Sequence, residues 1–457
     1  QRGATVRERG PDKRAVLETG STSFILIVLM VPVFFGMMGF AFDLGRLYLI
    51  RGELSQAANS MALAAASQLL GTSASADNML KVLPPNGPVY NYNFGAIQVG
   101  MGAGNLTSTV GTPNCFDTAA NATSPSGSAG DCTTATAVQL TVTADAPLLF
   151  WSLLPGGTSR KTSIGVSAVA GISAPLCTIC NTVPIAVPAI DATDTLNFGY
   201  DASFSTLYTL SYQCTGTPAP INYPFTSSAG INGGTTIPYE IVNHYDANNA
   251  LMPDEFDQLY VSGAQGMISS TNPTPNTLTA NTNTPLACMN VGDFEQLLAE
   301  AVPPACARGT NQYIQAFTCG IYARLDNANT PAACTTAVTD FGALSVNYQP
   351  DTDVTPGETP PYSAYTGNGR AIITVAVVGA LAGSTADPMQ VLGFRQFLVV
   401  PNPDGTFFDP SDPNGRIPVL YIGNPAPVQN GWFDTRYAGG SCPVGGFSGP
   451  GKVVLHR

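Results

Sequence analysis

Residues 24–42 read FILIVLMVPVFFGMMGFAF, nineteen consecutive positions without a charge. Wound as an α-helix, the run is about 28 Å long, enough to cross the hydrocarbon core of a bilayer. A cleavable secretory signal has an apolar stretch of only about 7–15 residues, followed by a small-residue cleavage site. This run passes instead into Asp43-Leu-Gly-Arg46. A buried core helix is the competing reading, and the length speaks against it. Arg2, Arg7, Arg9, Lys13 and Arg14 precede the run. The positive-inside rule therefore predicts residues 1–20 in the cytoplasm, the helix in the inner membrane and the rest of the chain outside.

The pattern extends beyond the apolar run on both sides. Ser21 or Thr22 is placed to cap the helix, and Pro32 is expected to kink it. Past Arg46 a helical face continues through Leu47, Ile50, Leu54, Ala57, Ala58, Met61, Ala62 and Ala65 to Gly71, a natural C-terminal stop. The predicted helix thus covers 21–71, roughly 75 Å of chain. Its second half is Ala-rich, and small side chains let helices approach closely. Residues 1–20 form a polar, Arg-rich arm, and Gln1 in place of Met predicts that something upstream has been lost.

For 457 residues the prior is about three domains, at ~150 residues each. Charged residues are 11%, less than half the ~25% of an ordinary soluble domain. High hydrophobicity with low charge excludes a disordered chain, and scarce Glu, Lys and Arg exclude a long coiled coil. Seven of the 18 bases fall in residues 1–51, which leaves eleven bases against 26 acids in the rest. Such a body offers no basic stripe, so nucleic acid is excluded as a partner.

Residues 72–175 are irregular at first and then show a strand–helix–strand pattern. Its parts are a strand at 137–144, a short apolar helix at 147–154 and a strand at 161–172. Residues 176–457 read as strands separated by long Pro/Gly/Asn/Thr loops, clearest at 370–378, 391–400 and 417–422, and suggest a barrel or sandwich. The fold class is α+β, a long N-terminal helix followed by β-rich, disulfide-stapled extracytoplasmic domains.

Ten cysteines in an exported body read as disulfides. Cys115 and Cys132 bracket a local loop and form the simplest pair. Cys288, Cys306, Cys319 and Cys334 pair among themselves or with Cys214 and Cys442. Cys177 and Cys180 form a CxxC. It lacks the following His of a haem site, a second CxxC for zinc, and the strand–CxxC–helix context of a redox site, which leaves a structural role.

Chemistry finds little footing. His244-Tyr-Asp246 is the one plausible catalytic base, and no nucleophile elbow accompanies it. Gly100-Met-Gly102-Ala-Gly104 has no strand–helix unit around it and reads as a turn. Asp201-Ala-Ser203-Phe-Ser205 matches the DxSxS spelling of a metal-dependent adhesion site, but no buried apolar strand precedes it. Asp409, Asp412 and Asn414 are rich in oxygens, yet they miss the EF-hand spacing and are simpler as Asx/Pro turns. No metal, cofactor or enzymatic activity is expected. Asp43 and Arg46, three apart on one helix face, pair with each other at the membrane interface or with the charges of a neighbouring copy.

The segments ETGSTSFILIVLMVP (18–32) and GFAFDLGRLYL (39–49) resemble the N-terminus of TadE/TadG-like proteins of Tad (tight adherence, Flp) pilus systems. The following RGELSQAANSMALAAA (51–66) resembles that family's Ala-rich helix, and the strands at 136–172 and 370–400 are more loosely similar. The resemblance implies a pilin-like, membrane-inserted protein of a surface appendage. It also implies a possible processing site at Gly20, although type IV-like pilins carry Glu at the fifth mature position and this chain has Ile25 there. The expected function is a structural subunit of an extracellular filament, with copies of itself or other pilus subunits as partners. The alternatives are a minor or membrane-anchored assembly component, and an adhesin that binds a ligand through residues 176–457.

Overall fold

The computed structural model describes residues 13–72, 75–83, 108–124, 127–148, 150, 161–180, 182–202, 206–212, 232–242, 244–245, 267–268, 288–291, 296–301, 308–325, 331–337, 350–352, 365–384, 387–400, 408–423, 426–428, 431–432 and 449–456. In chain order they form α1 (Lys13–Ala66), α2 (Ser75–Val82), β1 (Ser108–Val110), β2 (Asn114–Phe116), α3 (Ala119–Thr123), β3 (Ala137–Pro147) and β4 (Lys161–Ile172). Next come β5 (Thr178–Cys180), β6 (Ile185–Pro188), β7 (Thr206–Ser211), β8 (Asn232–Pro238), β9 (Glu240–Val242), β10 (His244–Tyr245), β11 (Met267–Ile268), β12 (Cys288–Asn290) and β13 (Gln296–Ala301). The last are α4 (Arg308–Leu325), α5 (Ala332–Ala337), β14 (Ile372–Val378), β15 (Pro388–Val399), β16 (Ile417–Ile422), β17 (Gly431–Trp432) and β18 (Val453–His456). A long apolar helix followed by a strand-rich region is the expected α+β class.

Helix α1 begins upstream of the expected cap at Ser21, because residues 13–19 hold no breaker and a helix once nucleated propagates through them. It ends at Ala66 rather than running to Gly71. The last turn tightens into i→i+3 bonds, with Gln68 N–H donating to Ala65 O at 3.0 Å and Leu69 N–H to Ala66 O at 3.1 Å. Gly71 then adopts φ +73°, the left-handed geometry expected just past a helix. Pro32 lies inside the helix.

The chain divides into two compact units. The first comprises Gln1–Ser60, Val89–Thr112 and Leu140–Ala168; the second comprises Met61–Pro88, Pro113–Gln139 and Val169–Arg457. In the first, β1 pairs antiparallel with the second half of β3, Thr109 opposite Thr143. In the second, β2 pairs antiparallel with the start of β3, and β18 with the end of β4.

The second unit is built on an eight-stranded sheet of order β13-β9-β6-β14-β15-β16-β7-β8. Strand β13 also pairs with the first residues of β15, Leu297 opposite Met389, so β13, β9, β6, β14 and β15 close into a ring. Strand alternation gives the sheet two apolar faces. Ile185, Val187, Ile241, Ile373, Val375 and Val377 enter one core, whereas Ala186, Val242, Ala376 and Val378 enter the other with Leu176, Cys177 and Val391. A register shift between Val377 and Val378 of the β14–β15 pair marks where β15 changes phase.

Helix α4 covers the first of these cores. Ile314, Phe317, Ile321 and Leu325 recur at helical spacing and are buried there, with the Phe317 ring 4.9 Å from that of Tyr239. Residues 176–457 were expected to hold only strands and loops, and this helix is the main departure. The stripe is present in the sequence, but the flanking Pro/Cys-rich segments mask it. Cys319 in α4 is bonded to Cys334 in α5.

Candidate functional site

The surface that sets this chain apart is the N-terminal half of α1. Of the nineteen residues 24–42, fifteen are large apolar side chains that stand exposed, with Phe24 and Phe35 each at 68%. Burying such side chains is worth about 1.5–3 kcal/mol each, so on the order of 20 kcal/mol or more of transfer free energy is not recovered within the chain. Residues 24–66 form the one helix, among the described residues, that is long and apolar enough to cross a membrane.

Burial begins where the apolar run ends. Gly39, Asp43, Ile50, Leu54, Ala57, Ala58, Met61, Ala62, Ala65 and Ala66 are buried at helical spacing. The covering residue at the first of these positions is Phe150. A Cβ on Gly39 would stand 2.6 Å from the Phe150 Cβ, so only glycine admits this approach. The Phe150 ring lies 6.1 Å from that of Phe42. Asp43, 5% exposed, accepts the Phe150 N–H on Oδ2 at 3.0 Å.

This geometry gives Asp43 a role that spacing alone did not reveal. Its carboxylate accepts a backbone amide 107 positions away in the sequence. Among the described residues, Arg46 Nη1 and Nη2 are buried without a hydrogen-bond partner. Leaving a guanidinium unmet is costly. Gly39 and Phe150 were not singled out from the sequence. Phe150 lies in the apolar stretch 147–154, most of which is outside the described residues, and nothing local marks it as the partner of a helix 107 positions away.

The other candidates are distributed as follows. Gly20 lies within the helical backbone of α1. Asp201 Oδ2 accepts the Thr206 hydroxyl at 2.9 Å, while Ser203 and Ser205 are outside the described residues. Asp409 Oδ1 accepts the Ser411 N–H at 2.9 Å and its hydroxyl at 2.6 Å, an Asx turn. Asp412 accepts the Asn414 N–H at 3.0 Å and is ion-paired with Arg416. Among the described residues no three His, Cys, Asp or Glu side chains cluster as a metal site would require.

Cys115 is bonded to Cys132, the expected local pair, and Cys319 to Cys334 falls within the expected group. Cys177 is also disulfide-bonded. Cys214, Cys306 and Cys442 lie outside the described residues, as do the side chains of Cys180 and Cys288, the His244 ring, Asp246 and the glycine run 100–104.

A long, apolar, surface-exposed N-terminal helix together with a disulfide-bonded β-rich region fits a membrane or envelope protein. Residues 20–68 match the Tad family, described as "Putative Flp pilus-assembly TadE/G-like". That match covers the apolar run, Gly39, Asp43, Arg46 and the Ala-rich half of α1, and connects the chain to Flp/Tad pilus systems. Neither the curated proteins nor the solved structures gave a match.

Proposed function

We propose that the chain is a structural subunit of an extracellular, Tad-related filament, held in the inner membrane by α1 before assembly and packed through α1 afterwards. The observation that carries this reading is the change of environment along α1. Residues 24–42 expose fifteen large apolar side chains, and from Ile50 onward one face is buried. A helix of this kind leaves lipid only for another apolar surface, and further copies of the same helix provide one. Around Pro32, Gly36 and Phe40 the helix surface is apolar and concave, suited to receive a neighbouring helix. Arg46 then takes a carboxylate from the adjoining subunit. The N-terminus faces the cytoplasm until export of the subunit, and cleavage after Gly20 is the corresponding processing step.

A photo-crosslinking amino acid at Phe35 in intact cells tests the contact. Crosslinks between copies of this chain are expected. Crosslinks confined to a different, smaller pilus protein support a minor or assembly component instead, and labelling of lipid alone contradicts a packed helix.

A further inference from the structure

The connection from β3 to β4 has an apolar sequence. Residues 146–159 read APLLFWSLLPGGTS, fourteen positions without a charge between Asp145 and Arg160. Six of them, Leu148, Leu149, Phe150, Trp151, Leu153 and Leu154, are large and apolar. Connections between strands ordinarily run over the wet surface, where water meets their backbone groups. This composition suits a different surrounding.

Phe150 brings the connection to the apolar part of α1. Its side chain is seated on Gly39, where a Cβ would come within 2.6 Å of the Phe150 Cβ. Gly39 lies four positions before Asp43, about 6 Å along the helix axis and inside the apolar run. Phe150 is 41% exposed and Phe42 67%, and their rings are 6.1 Å apart. The two rings therefore continue the exposed apolar surface of residues 24–42 onto a second segment of the same unit. Non-helical backbone enters an apolar medium only where its polar groups are met inside the protein. The Phe150 N–H fulfils that condition, donating to Asp43 Oδ2 at 3.0 Å. Trp151 follows directly, and tryptophan is enriched where a protein crosses the membrane–water interface. Asp145, Arg160 and Lys161 bound the stretch with charges that stay in water.

We propose that at Phe150 the β3–β4 connection enters the bilayer beside α1 and meets acyl chains in the leaflet reached by the C-terminal end of the apolar run. The subunit is then held in the membrane at two places rather than by one helix. This inference rests on α1 being seated in a bilayer before assembly.

The test is the fluorescence of the full chain reconstituted in phosphatidylcholine vesicles, with acyl chains brominated either near the headgroup or near the methyl end. Trp151 and Trp432 are the only tryptophans, so Trp432→Phe leaves Trp151, next to Phe150, as the reporter. Loss of Trp151 emission is expected, larger with bromine near the headgroup, together with resistance to iodide in the water. A second chain carrying Phe35→Trp, Trp151→Phe and Trp432→Phe reports on α1 itself and should lose most emission with bromine near the methyl end. Quenching in that chain without quenching of Trp151 overturns the proposal and leaves the seat of α1 standing. Quenching in neither overturns both. Trp151 quenched by iodide alone lies in water, and Trp151 protected from both quenchers lies against protein; either result overturns the proposal. Should Trp432→Phe fail to fold, a photo-crosslinking amino acid in place of Trp151 decides the matter. Lipid adducts are then expected, and adducts to protein alone contradict the proposal.

Discussion

The Phe150 backbone N–H donates to Asp43 Oδ2 at 3.0 Å, joining the end of the apolar run of α1 to a residue 107 positions away. A hydrogen bond to a charged acceptor is worth about 1.5–3 kcal/mol. Asp43→Ala should therefore release the contact and speed hydrogen exchange at the Phe150 amide, whereas Asp43→Asn, which keeps an acceptor, should largely preserve protection. Gly39→Leu should have the effect of Asp43→Ala by displacing the Phe150 side chain. Unchanged exchange in both Asp43→Ala and Gly39→Leu would show that the contact holds nothing in place.

The same bond alters what a charge swap should do. If Asp43 served only to pair across subunits, exchanging it with Arg46 would restore assembly. Since Asp43 holds an amide in its own chain, the double variant Asp43→Arg/Arg46→Asp should assemble no better than Asp43→Arg alone. Arg46→Gln should still lower the yield of surface-exposed subunit, measured by shearing and immunoblotting. Recovery in the double variant argues for charge pairing instead.

Glu240 on β9 is 2% exposed and accepts the Ala382 N–H on Oε2 at 3.0 Å. Burial raises its pKa from 4.5 to about 7, against the opposing effect of that amide. Between these values the folded chain binds more protons than the unfolded one, so stability falls as pH rises. The contribution is complete below about pH 4.5 and lost as pH passes through 7. Thermal midpoints across this window should decline in the parent and be flatter in Glu240→Gln; parallel curves would exclude Glu240 as the source.

Gly415 has φ +52°, and a Cβ there would stand 2.6 Å from Ile314 Cγ2. The left-handed backbone costs about 1–2 kcal/mol and the overpacking about 1–3 kcal/mol. Gly415→Ala should therefore lower stability by about 2–5 kcal/mol in denaturant unfolding. A loss below about 1 kcal/mol would mean that α4 shifts freely over this turn.

Cys319 and Cys334 are 15 positions apart and join α4 to α5. Closing a loop of that size contributes about 3 kcal/mol, mostly by restricting the unfolded chain. The double Ser variant should unfold at correspondingly lower denaturant and expose the α4 segment to proteolysis first. Cleavage beginning elsewhere would show that the bond does not secure this helix.

What the sequence revealed was local. Strands Lys161–Ile172 and Ile417–Ile422 have the expected bounds because alternation or continuous burial is visible within one strand. Cys115 and Cys132 were legible because only a short loop separates them. The apolar run needs no partner to be recognised. What was not legible depends on distant residues. The seating of Phe150 on Gly39 and the closure of β13 onto β15 leave no periodic trace. Helix α4 was missed for another reason, since its stripe is present but bordered by Pro and Cys that read as loop.

Assembly of this chain into a filament through α1 is open to a simple test: appendages sheared from producing cells, imaged by electron cryomicroscopy and analysed by peptide mass spectrometry. Regular filaments made mainly of this chain are expected, with residues 24–42 packed against other copies along the axis and an N-terminal peptide beginning at Ser21. Retention of the chain in the membrane fraction, or its presence only as a trace in filaments built from another protein, would contradict it.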